Sequence, residues 1–583
     1  MTERSAPHTD IASPLAATRD AVVVGAGFGG LYALHCLRQM GFSAVCFEAG
    51  DGVGGTWYWN RYPGARCDVE SLQYSYSFSE ELDQEWTWSE KYAPQAEIMA
   101  YANHVADRFE LRRDIRFETR VVAATWDGAR SLWVVETDRG DRVEARFVLM
   151  AVGCLSAANK PPFEGIADFK GPIYHTGEWP KEGVDFTGLR VGVIGTGSSA
   201  IQSIPLIAEQ ASALTVFQRT ATYTVPAWNA PLDPEHVAKV KADYPALRAK
   251  ARSRPTGFYF PINVAPAMEA TAEERQRRYE EAWARGGLPF LGAFGDLLFS
   301  KDANDTIAEF AREKIRSIVK DPATAELLCP DNVFGCKRLC VDTDYFATYN
   351  KPHVKLVDVS KTPIERFTPE GIVVAGKSYP VDAVVCATGF AAMTGSYEKI
   401  RITGRDGLTL AEKWRAGPRT YLGVASAGFP NLFMITGPGS PSVLASMIQA
   451  IEQHVDWMVD LMAHMRDTGA LSFEPKVEDE DRWVEHVNEV SQVSLRSTCS
   501  SWYVGANVPG RPRVFMPYIG GFPIYVQKCN EVMNGGYDGF VLEGAKAAGN
   551  APPEVRLTKR WHVPLDMDVI SPAMLAAKRV PVV

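Results

Sequence analysis

The stretch from Ala21 to Asp68 constrains the fold of this chain more than any other part. A β-branched run, Val22 to Val24, leads into the glycine pattern GAGFGG and then into LYALHCLRQM, whose apolar spacing predicts a helix packed on a sheet. Strand, glycine turn and helix in this order are typical of a dinucleotide site, because the helix start offers free N–H groups and a positive dipole end to a pyrophosphate. When such a motif stands alone, the alternative to a nucleotide site is that the glycines serve only the packing of the helix on the strand.

The spacing inside this unit favours the nucleotide interpretation. We expect Gly25 to permit a tight turn, Gly27 to let a pyrophosphate approach the backbone, and Gly30 to allow close packing of helix on strand. The next strand, SAVCFEA, places Glu48 23 residues after Gly25, where a carboxylate accepts hydrogen bonds from a ribose. The unit therefore predicts a bound dinucleotide.

A second copy of this pattern begins at residues 190–194, RVGVI. Gly195, Gly197 and Ala200 form GTGSSA, and the helix AIQSIPLIAEQ follows. The same order of strand, turn and helix predicts a second dinucleotide site.

The end of the following strand separates the two sites chemically. Gln218 stands where the acid would be, and Arg219 and Thr220 come next. A cation here suits a ribose 2′-phosphate, which a carboxylate would repel. We therefore assign FAD to the first site and NADPH to the second; the alternative for Arg219 is a solvated charge at a strand end.

These patterns predict an α/β fold class with two Rossmann-like dinucleotide-binding domains, for FAD and NADPH, and a helical insertion. Charge-rich segments such as TAEERQRRYEEAWARG predict the insertion, whose first helix begins with a capping box at Thr271. A later long helix is expected to be capped by Ser440 or Ser442. The predicted boundaries are a disordered N-terminus at 1–20, an FAD domain at 21–155 and 389–545, an NADP domain at 156–225 and 335–388, the insertion at 226–334, and a C-terminal extension at 546–583.

Composition excludes several classes of protein. The formal net charge of −9, with no clustered basic stripe, argues against a nucleic-acid partner. No apolar run reaches transmembrane length, and residues 1–20 lack the apolar core of a secretory signal, so we expect no membrane partner. The ten cysteines contain no CxxC pair, which fits reduced thiols in a cytoplasmic protein better than a disulfide framework or a zinc site.

An aromatic-rich segment follows the first fingerprint and reads TWYWNRYPGARCDVESLQYSYSF. Clustered Trp and Tyr beside Arg and Asp predict a wall for a flat aromatic ligand; the alternative is a hairpin packed at the surface. Val121, on a strand predicted at 117–125, is expected on the adenine side of the first nucleotide.

Two nucleotide sites in one chain imply hydride transfer from a nicotinamide to a flavin. A disulfide reductase of this build would need a redox-active cysteine pair soon after its FAD fingerprint, and Cys67 has no partner within five residues on either side. Oxygen chemistry on the reduced flavin is the outcome that remains.

Two longer signatures now carry a family resemblance. Residues 169–180, FKGPIYHTGEWP, match FxGxxxHxxxWP, and residues 54–68, GGTWYWNRYPGARCD, match GGxWxxxxYPGxxxD. Over residues 22–542 the chain resembles type I Baeyer-Villiger monooxygenases, especially those acting on phenylacetone and steroids. Flavin monooxygenases that oxygenate nitrogen or sulfur carry Phe or Tyr where Trp179 stands. From residue types alone, Phe169, His175 and Trp179 would fit a linker core between domains.

The resemblance implies NADPH- and O2-dependent oxidation of ketones to esters or lactones through a flavin C4a-peroxide. It also implies that Arg338, in FGCKRL, is the fixed cation that stabilises the deprotonated peroxide, and that Asp68 is the carboxylate that orients Arg338. The alternative role for Arg338 is a structural ion pair, and the alternative role for Asp68 is a turn cap. His175 is expected between the domains rather than as a base.

The resemblance further assigns binding residues to both cofactors. Around FAD it places Thr56, Trp57, Tyr58, Trp59, Asp68 and Tyr74. Around NADPH it places Arg66, Thr196, Gly197, Ser198, Ser199, Ala200, Gln202, Arg219, Thr220, Lys337 and Trp502.

The sequence predicts an enzyme that acts as a monomer on a small-molecule ketone and O2. One rival is a flavin monooxygenase that oxygenates nitrogen or sulfur, against which Trp179 and the Arg338–Asp68 pair argue. The other is a non-catalytic flavoprotein that keeps the nucleotide folds for binding alone.

Overall fold

The computed structural model describes residues 15–544, 553–562 and 565–579. Each fingerprint contributes a strand to one of two sheets, and the helix of its glycine pattern follows that strand directly. The predicted α/β class with two Rossmann-like units is therefore confirmed. The predictions for residues 1–14, 545–552, 563–564 and 580–583 lie outside the described residues.

The first sheet holds the FAD fingerprint near its middle. Its path runs through the strands Arg401–Thr403, Val121–Asp127, Leu132–Thr137, Arg142–Met150, Ala16–Val24, Ala44–Phe47 and Ile115–Arg116, and Leu432–Met434 also pairs with Arg142–Met150. Pairing is parallel except on the two sides of Leu132–Thr137.

The second half of the strand Ala16–Val24 is apolar on both faces because both faces are covered. Ala21 and Val23 belong to the core beneath the helices Phe28–Gln39, Gln95–Arg108 and Met447–Thr468. Val22 and Val24 belong to a second core on the opposite face. Burial on both sides is what a central parallel strand requires, and it fixes the position of the glycine turn that follows.

The prediction of disorder at residues 1–20 is wrong for residues 15–20. The strand begins at Ala16, and its polar first half, Ala16–Arg19, pairs in parallel with residues 142–145. The Leu15 N–H also donates to Asp141 Oδ1 at 2.6 Å. This segment carries little apolar pattern, so its order comes from backbone pairing with a strand far away in the sequence.

The second sheet is parallel throughout. Its order is Val354–Asp358, Ala213–Gln218, Arg190–Ile194, Ala383–Cys386 and Ile173–His175. The helix Ser198–Gln210 packs on it, and a three-stranded antiparallel unit of Ile364–Thr368, Gly371–Val374 and Lys377–Pro380 lies beside it.

The insertion is helical, as its charge pattern predicts. Its helices are Pro234–Ala242, Tyr244–Arg252, Ala272–Arg285, Lys301–Ile318 and Pro322–Leu328. Thr271 Oγ1 accepts the N–H of Glu274 at 3.2 Å, which is half of the predicted capping box. The strand Thr224–Pro226, at the start of the insertion, pairs with the strand Cys340–Asp342, which follows its end. The FGCKRL segment therefore lies where the chain leaves the insertion.

The predicted cap of the long C-terminal helix is wrong. The helix begins at Met447 with Ser446 at its N-cap, whereas Ser442 starts a separate 3-10 turn that ends at Leu444. Ser442 has a φ of +43°, which breaks a continuous helix at this point. Further helices here are Val477–Gln492, Phe522–Asn534 and Pro572–Arg579, and Ser472–Pro475 pairs with Phe540–Glu543.

The described part of the C-terminal extension is docked on the long helix. Thr558 N–H donates to Asp460 at 2.9 Å, and the indole of Trp561 donates to Asp456 at 2.8 Å. Among the described residues, no helix combines the length and the apolar character that a transmembrane span requires.

Candidate active site in the cleft between the two sheets

Both fingerprints open onto one large cleft of about 1610 Å3. The predicted residues that line it are Gly25, Gly27, Glu48, Thr56, Trp57, Trp59, Arg66, Asp68, Tyr74, Val121, Thr196, Gly197, Ser198, Ser199, Gln202, Arg219, Thr220, Lys337, Arg338 and Trp502. The aromatic segment after the first fingerprint forms a short helix, Thr56–Trp59, and a wall of the cleft rather than a hairpin.

Three predicted residues lie behind the cleft wall. Gly30 packs against the turn, where an added Cβ would lie 1.9 Å from the carbonyl oxygen of Gly25. The Tyr58 ring covers Gly50 and meets the Trp59 ring edge-on with centroids 4.8 Å apart, and its hydroxyl donates to Asp51 Oδ1 at 2.5 Å. Ala200 is fully buried beneath its helix. Neither Tyr58 nor Ala200 lines the cleft, so their assignments as cofactor contacts stay predictions.

The first fingerprint offers a bare backbone to the cleft. Gly25 has a φ of +100°, and Gly27 is the N-cap of the helix Phe28–Gln39. That helix has neither a capping side chain nor an acid in its first turn, so its N–H groups and dipole are left for an anion. A Cβ on Gly27 would lie 3.3 Å from Gly55 Cα, so glycine keeps this approach clear.

Glu48 is fixed at the end of the second strand by backbone donors. Its Oε2 accepts the N–H of Ala26 at 2.7 Å and its Oε1 accepts the N–H of Gly50 at 2.8 Å. Burial raises the pKa of this carboxyl group. Each oxygen keeps lone-pair capacity, so the group suits the ribose hydroxyls expected there.

The second fingerprint repeats this geometry with a more open turn. Gly195 has a φ of +110°, and a Cβ there would lie 2.4 Å from the Ala387 carbonyl oxygen. Gly197, the N-cap of the helix Ser198–Gln210, has nothing within 4 Å of its Cβ position. Thr196 Oγ1 donates to the Thr220 carbonyl at 2.8 Å and thereby holds the turn against the end of the next strand.

Arg219 and Lys337 bring two positive charges to the second site. Burial lowers the pKa of Lys337, and repulsion from Arg219 adds to the effect. Within the described ranges, no acidic side chain forms an ion pair with either cation. Two adjacent cations without a carboxylate suit a phosphate group.

Arg338 and Asp68 form a two-pronged ion pair in the cleft. Arg338 Nη2 donates to Asp68 Oδ1 at 2.9 Å, Nε donates to Oδ2, and Nη1 donates to the Val443 carbonyl at 2.7 Å. Burial disfavours the charged guanidinium, but attraction to Asp68 outweighs it and raises the pKa of Arg338 above its usual range. The cation is therefore permanent and its orientation fixed.

The aromatic segment is tied directly to the second fingerprint helix. Gln202 Nε2 donates to the Arg66 carbonyl at 2.9 Å, and the Tyr62 hydroxyl donates to Gln202 Oε1 at 2.8 Å. Arg66 itself donates to Glu90 at 2.8 Å. Trp502 reaches the cleft from a 3-10 turn, and its ring contacts that of Tyr503 in a tilted arrangement with centroids 4.2 Å apart. These contacts place Asp68 between the two nucleotide sites.

The histidine of the 169–180 signature lies at the connection between the two sheets. His175 Nδ1 accepts the Gly177 N–H at 3.0 Å, while Nε2 lies 3.3 Å from the Asn159 carbonyl and 3.2 Å from Thr388 Oγ1. Burial lowers its pKa. His175, Phe169 and Trp179 are all buried, and none of them lines the cleft.

Apolar residues that no sequence motif identified also line the cleft. Phe258, Val443, Met447, Ile448 and Ile451 all line the cleft. They come from the insertion and from the start of the long helix, and no motif links them in the sequence. A cleft that combines this apolar lining with the Arg338 cation suits an uncharged carbonyl compound.

The residues present fit a dinucleotide at each glycine turn, because glycine clears both turns and each following helix start is uncapped. In the part of the chain that the structure describes, no cluster of His, Cys, Asp and Glu has the arrangement of a metal site.

Comparison with known proteins agrees with this geometry. A family model for flavin-binding monooxygenase-like proteins matches residues 18–229. Over 540 residues the chain is 43% identical to a Baeyer-Villiger monooxygenase of Pseudooceanicola batsensis, covering 92% of this chain and 98% of that protein. It is 39% identical to a phenazine N-monooxygenase of Lysobacter antibioticus, covering 90% and 97%. The solved structure of an oxidized steroid monooxygenase bound to NADP is 54% identical, with a TM-score of 0.86, covering 90% and 99%.

Proposed function

This chain belongs to the Baeyer-Villiger monooxygenases, and from that premise we propose that it oxidises ketones to esters or lactones with NADPH and O2. The predicted cofactors are FAD and NADPH, and solved relatives hold FAD and NADP. The observation that carries the proposal is the Arg338–Asp68 pair, which holds a permanent cation in the cleft that both fingerprints share. When bound, FAD supplies hydride acceptance and the activation of O2.

The residues of this chain then have separable roles. The Arg338 guanidinium stabilises negative charge on oxygen as the carbonyl carbon becomes tetrahedral, and the Asp68 carboxylate keeps the guanidinium in that orientation. Phe258, Met447 and Ile451 line the same cleft, and the low polarity of these side chains strengthens the charge interaction.

Arg219 is expected to set the preference for NADPH. In Arg219→Ala, kcat/KM for NADPH should fall by roughly 5- to 150-fold, the equivalent of 1–3 kcal/mol for a charge-assisted hydrogen bond, while kcat/KM for NADH stays nearly unchanged. The reason is that the 2′-phosphate would lose one of its two cations. Steady-state NAD(P)H oxidation with a saturating ketone measures both values.

Arg190→Ala is the matched control for this change. Arg190 begins the strand that leads to the same fingerprint, but it pairs with Asp382 at 2.6 Å on the surface. The control should keep the wild-type ratio of NADPH to NADH efficiency. An Arg219→Ala enzyme with that same ratio would contradict the assignment.

The proposed reaction is tested by product analysis with labelled oxygen. Purified enzyme with NADPH, 18O2 and a panel of small, aromatic, long-chain and steroid ketones should yield an ester or lactone that carries one 18O atom. NADPH consumption should rise when the ketone is added. If no ketone of the panel gives an ester and none increases the rate of NADPH consumption, the non-catalytic interpretation would be favoured.

Oxygenation of nitrogen or sulfur is the second candidate, because a relative at 39% identity is named a phenazine N-monooxygenase. The same assay with aromatic amines, N-heterocycles and thioethers separates the two. Turnover of an amine with no ester from any ketone would establish the second candidate in place of the first.

We propose three further features. The enzyme works as a monomer, since one chain supplies both fingerprints and the Arg338–Asp68 pair. It works in a reducing cytoplasm, which is supported by ten cysteines without a disulfide. Its domain boundaries are those predicted, with the FAD domain extended to residue 15.

A further inference from the structure

Two buried side chains outside the cleft form a chain of hydrogen bonds that ends on a residue of the cleft. His454 of the long helix and Tyr525 of the helix Phe522–Asn534 are fully buried, and neither lines the cleft. The Thr436 N–H donates to His454 Nδ1 at 2.9 Å, and the Tyr525 hydroxyl lies 2.8 Å from His454 Nε2. The same hydroxyl donates to the Leu422 carbonyl at 2.7 Å. Two helices therefore connect the two loops that hold Thr436 and Leu422.

The direction of every hydrogen bond in this chain is fixed. Burial lowers the pKa of His454 to about 3, so the imidazole is neutral and carries one proton. A backbone N–H can only donate, so Nδ1 is the accepting nitrogen and the proton is on Nε2. Because the Tyr525 hydroxyl donates its only proton to the Leu422 carbonyl, its oxygen accepts from Nε2.

Both ends of the chain have a backbone conformation that is uncommon outside glycine. Thr436 has a φ of +54° and Leu422 a φ of +55°. The left-handed region is unfavourable for any residue with a Cβ, and most of all for a β-branched one such as threonine. Such conformations persist where the surroundings hold them, and they cluster at active sites and ligand clamps. The pair of His454 and Tyr525 contacts the N–H of one strained residue and the carbonyl of the other.

Thr436 lies at the edge of the sheet that carries the first fingerprint. It comes two residues after the strand Leu432–Met434, which pairs in parallel with Arg142–Met150. That strand pairs in parallel with Ala16–Val24, which leads into the turn at Gly25. Parallel strands end at the same edge of a sheet, where ligands bind. Thr436 lines the cleft at this edge.

The loops at the two ends of the chain pack backbone against backbone. A Cβ on Gly437 would lie 2.5 Å from the Gly423 carbonyl oxygen, and a Cβ on Gly423 would lie 2.4 Å from the Ser440 nitrogen. A shift of the loop at Leu422 is therefore transmitted to the loop that begins at Thr436.

We propose that His454 and Tyr525 are positioning residues of the FAD site, which hold Thr436 in the left-handed conformation that FAD requires. Without the acceptor at Nδ1, Thr436 returns to a negative φ, and its peptide group turns relative to the cleft. FAD then binds only the fraction of molecules whose loop keeps the original form, so its apparent affinity falls by that fraction. The inference rests on FAD at the first fingerprint and is independent of ketone oxidation.

Titration of the full-length apoprotein with FAD, followed by flavin fluorescence, measures the effect. His454→Leu removes the acceptor and should weaken FAD binding roughly 5- to 30-fold, which is the cost of a left-handed residue expressed as a ratio. In a Thr436→Gly background the same substitution should have almost no effect on the dissociation constant, because glycine adopts a positive φ without strain. His454→Asn offers a side-chain oxygen to the Thr436 N–H, so it should bind FAD more tightly than His454→Leu does.

Two nearby substitutions are matched controls. His486→Leu removes another buried imidazole, whose Nε2 lies 3.4 Å from the Tyr518 hydroxyl, and Tyr518→Phe removes that hydroxyl. Both controls should lower the Tm of the apoprotein and keep the dissociation constant of FAD within a few-fold of the wild-type value. Loss of a buried polar side chain is thereby separated from loss of the contact to Thr436.

Three results would overturn the proposal: unchanged FAD affinity in His454→Leu, an equal loss of affinity in the Thr436→Gly background, or the same loss in His486→Leu. The second result would show that the imidazole serves only the packing of the core. If His454→Leu does not fold, Tyr525→Phe decides the question, since its weaker FAD binding should also disappear in the Thr436→Gly background. No ketone enters the titration, so a negative result leaves the proposed oxygenation standing.

Discussion

Arg338→Ala is expected to remove ester formation while NADPH still reduces the flavin. A preorganised donor to a developing oxyanion contributes roughly 100- to 1000-fold in rate, and Arg338 supplies a fixed positive charge as well, so we expect a loss at or beyond the upper end of that range. Anaerobic stopped-flow absorbance measures flavin reduction, and chromatography of the products measures the ester. The first rate should stay within a few-fold of the wild type, and the second should approach the detection limit.

Arg338→Lys is the matched control because it keeps the charge and removes the fork. A lysine cannot reproduce the contacts from three guanidinium nitrogens to Asp68 and the Val443 carbonyl, so its activity should lie between those of the wild type and the alanine variant. Both variants must first show full FAD content, since Arg338→Ala leaves the partly buried Asp68 without its partner. Ester formation at the wild-type rate in Arg338→Ala would refute the role of Arg338.

Local patterns predicted the two nucleotide turns well, because their geometry depends on residues close in the sequence. Gly25 and Gly195 both have positive φ values, and in both cases an added Cβ would strike a backbone carbonyl. Such positions can be filled only by glycine without strain, so the sequence must display them. The Arg338–Asp68 contact, across 270 residues, was predicted only from the family resemblance.

The sequence did not predict which side chains of a short helix face the cleft. In Thr56–Trp59, the rings of Trp57 and Trp59 line the cleft while Tyr58, between them, faces Gly50. A run of aromatic residues fixes none of these directions. Ala200 differs from Ser198 and Ser199 in the same way, because it is fully buried whereas the two serines line the cleft.

Features built from distant segments left no sequence pattern at all. The strand from Ala16 is ordered by pairing with residues 142–145. The apolar lining of the cleft combines Phe258 of the insertion with Met447 and Ile451 of the long helix. Each depends on the packing of whole domains, which hydrophobic periodicity within a segment does not encode.

Gly30→Ala is expected to release FAD. The new Cβ would lie 1.9 Å from the Gly25 carbonyl oxygen, and a backbone atom in the turn cannot move aside as a side chain can. Overpacking of this kind costs on the order of 3 kcal/mol, which corresponds to FAD binding about 100-fold weaker. Absorbance after desalting gives the FAD content, and titration of the apoprotein gives the dissociation constant.

Gly29→Ala separates this steric effect from the simple addition of a methyl group to the helix. Its Cβ would meet the Ile435 side chain at 3.3 Å, which can shift, and alanine favours the helix by about 1 kcal/mol over glycine. The neighbouring variant should therefore keep its yellow colour. If Gly30→Ala instead retains full FAD content, the turn at Gly25 can adjust to the methyl group and still bind phosphate. That result would contradict the assignment of Gly30 to close packing of helix on strand.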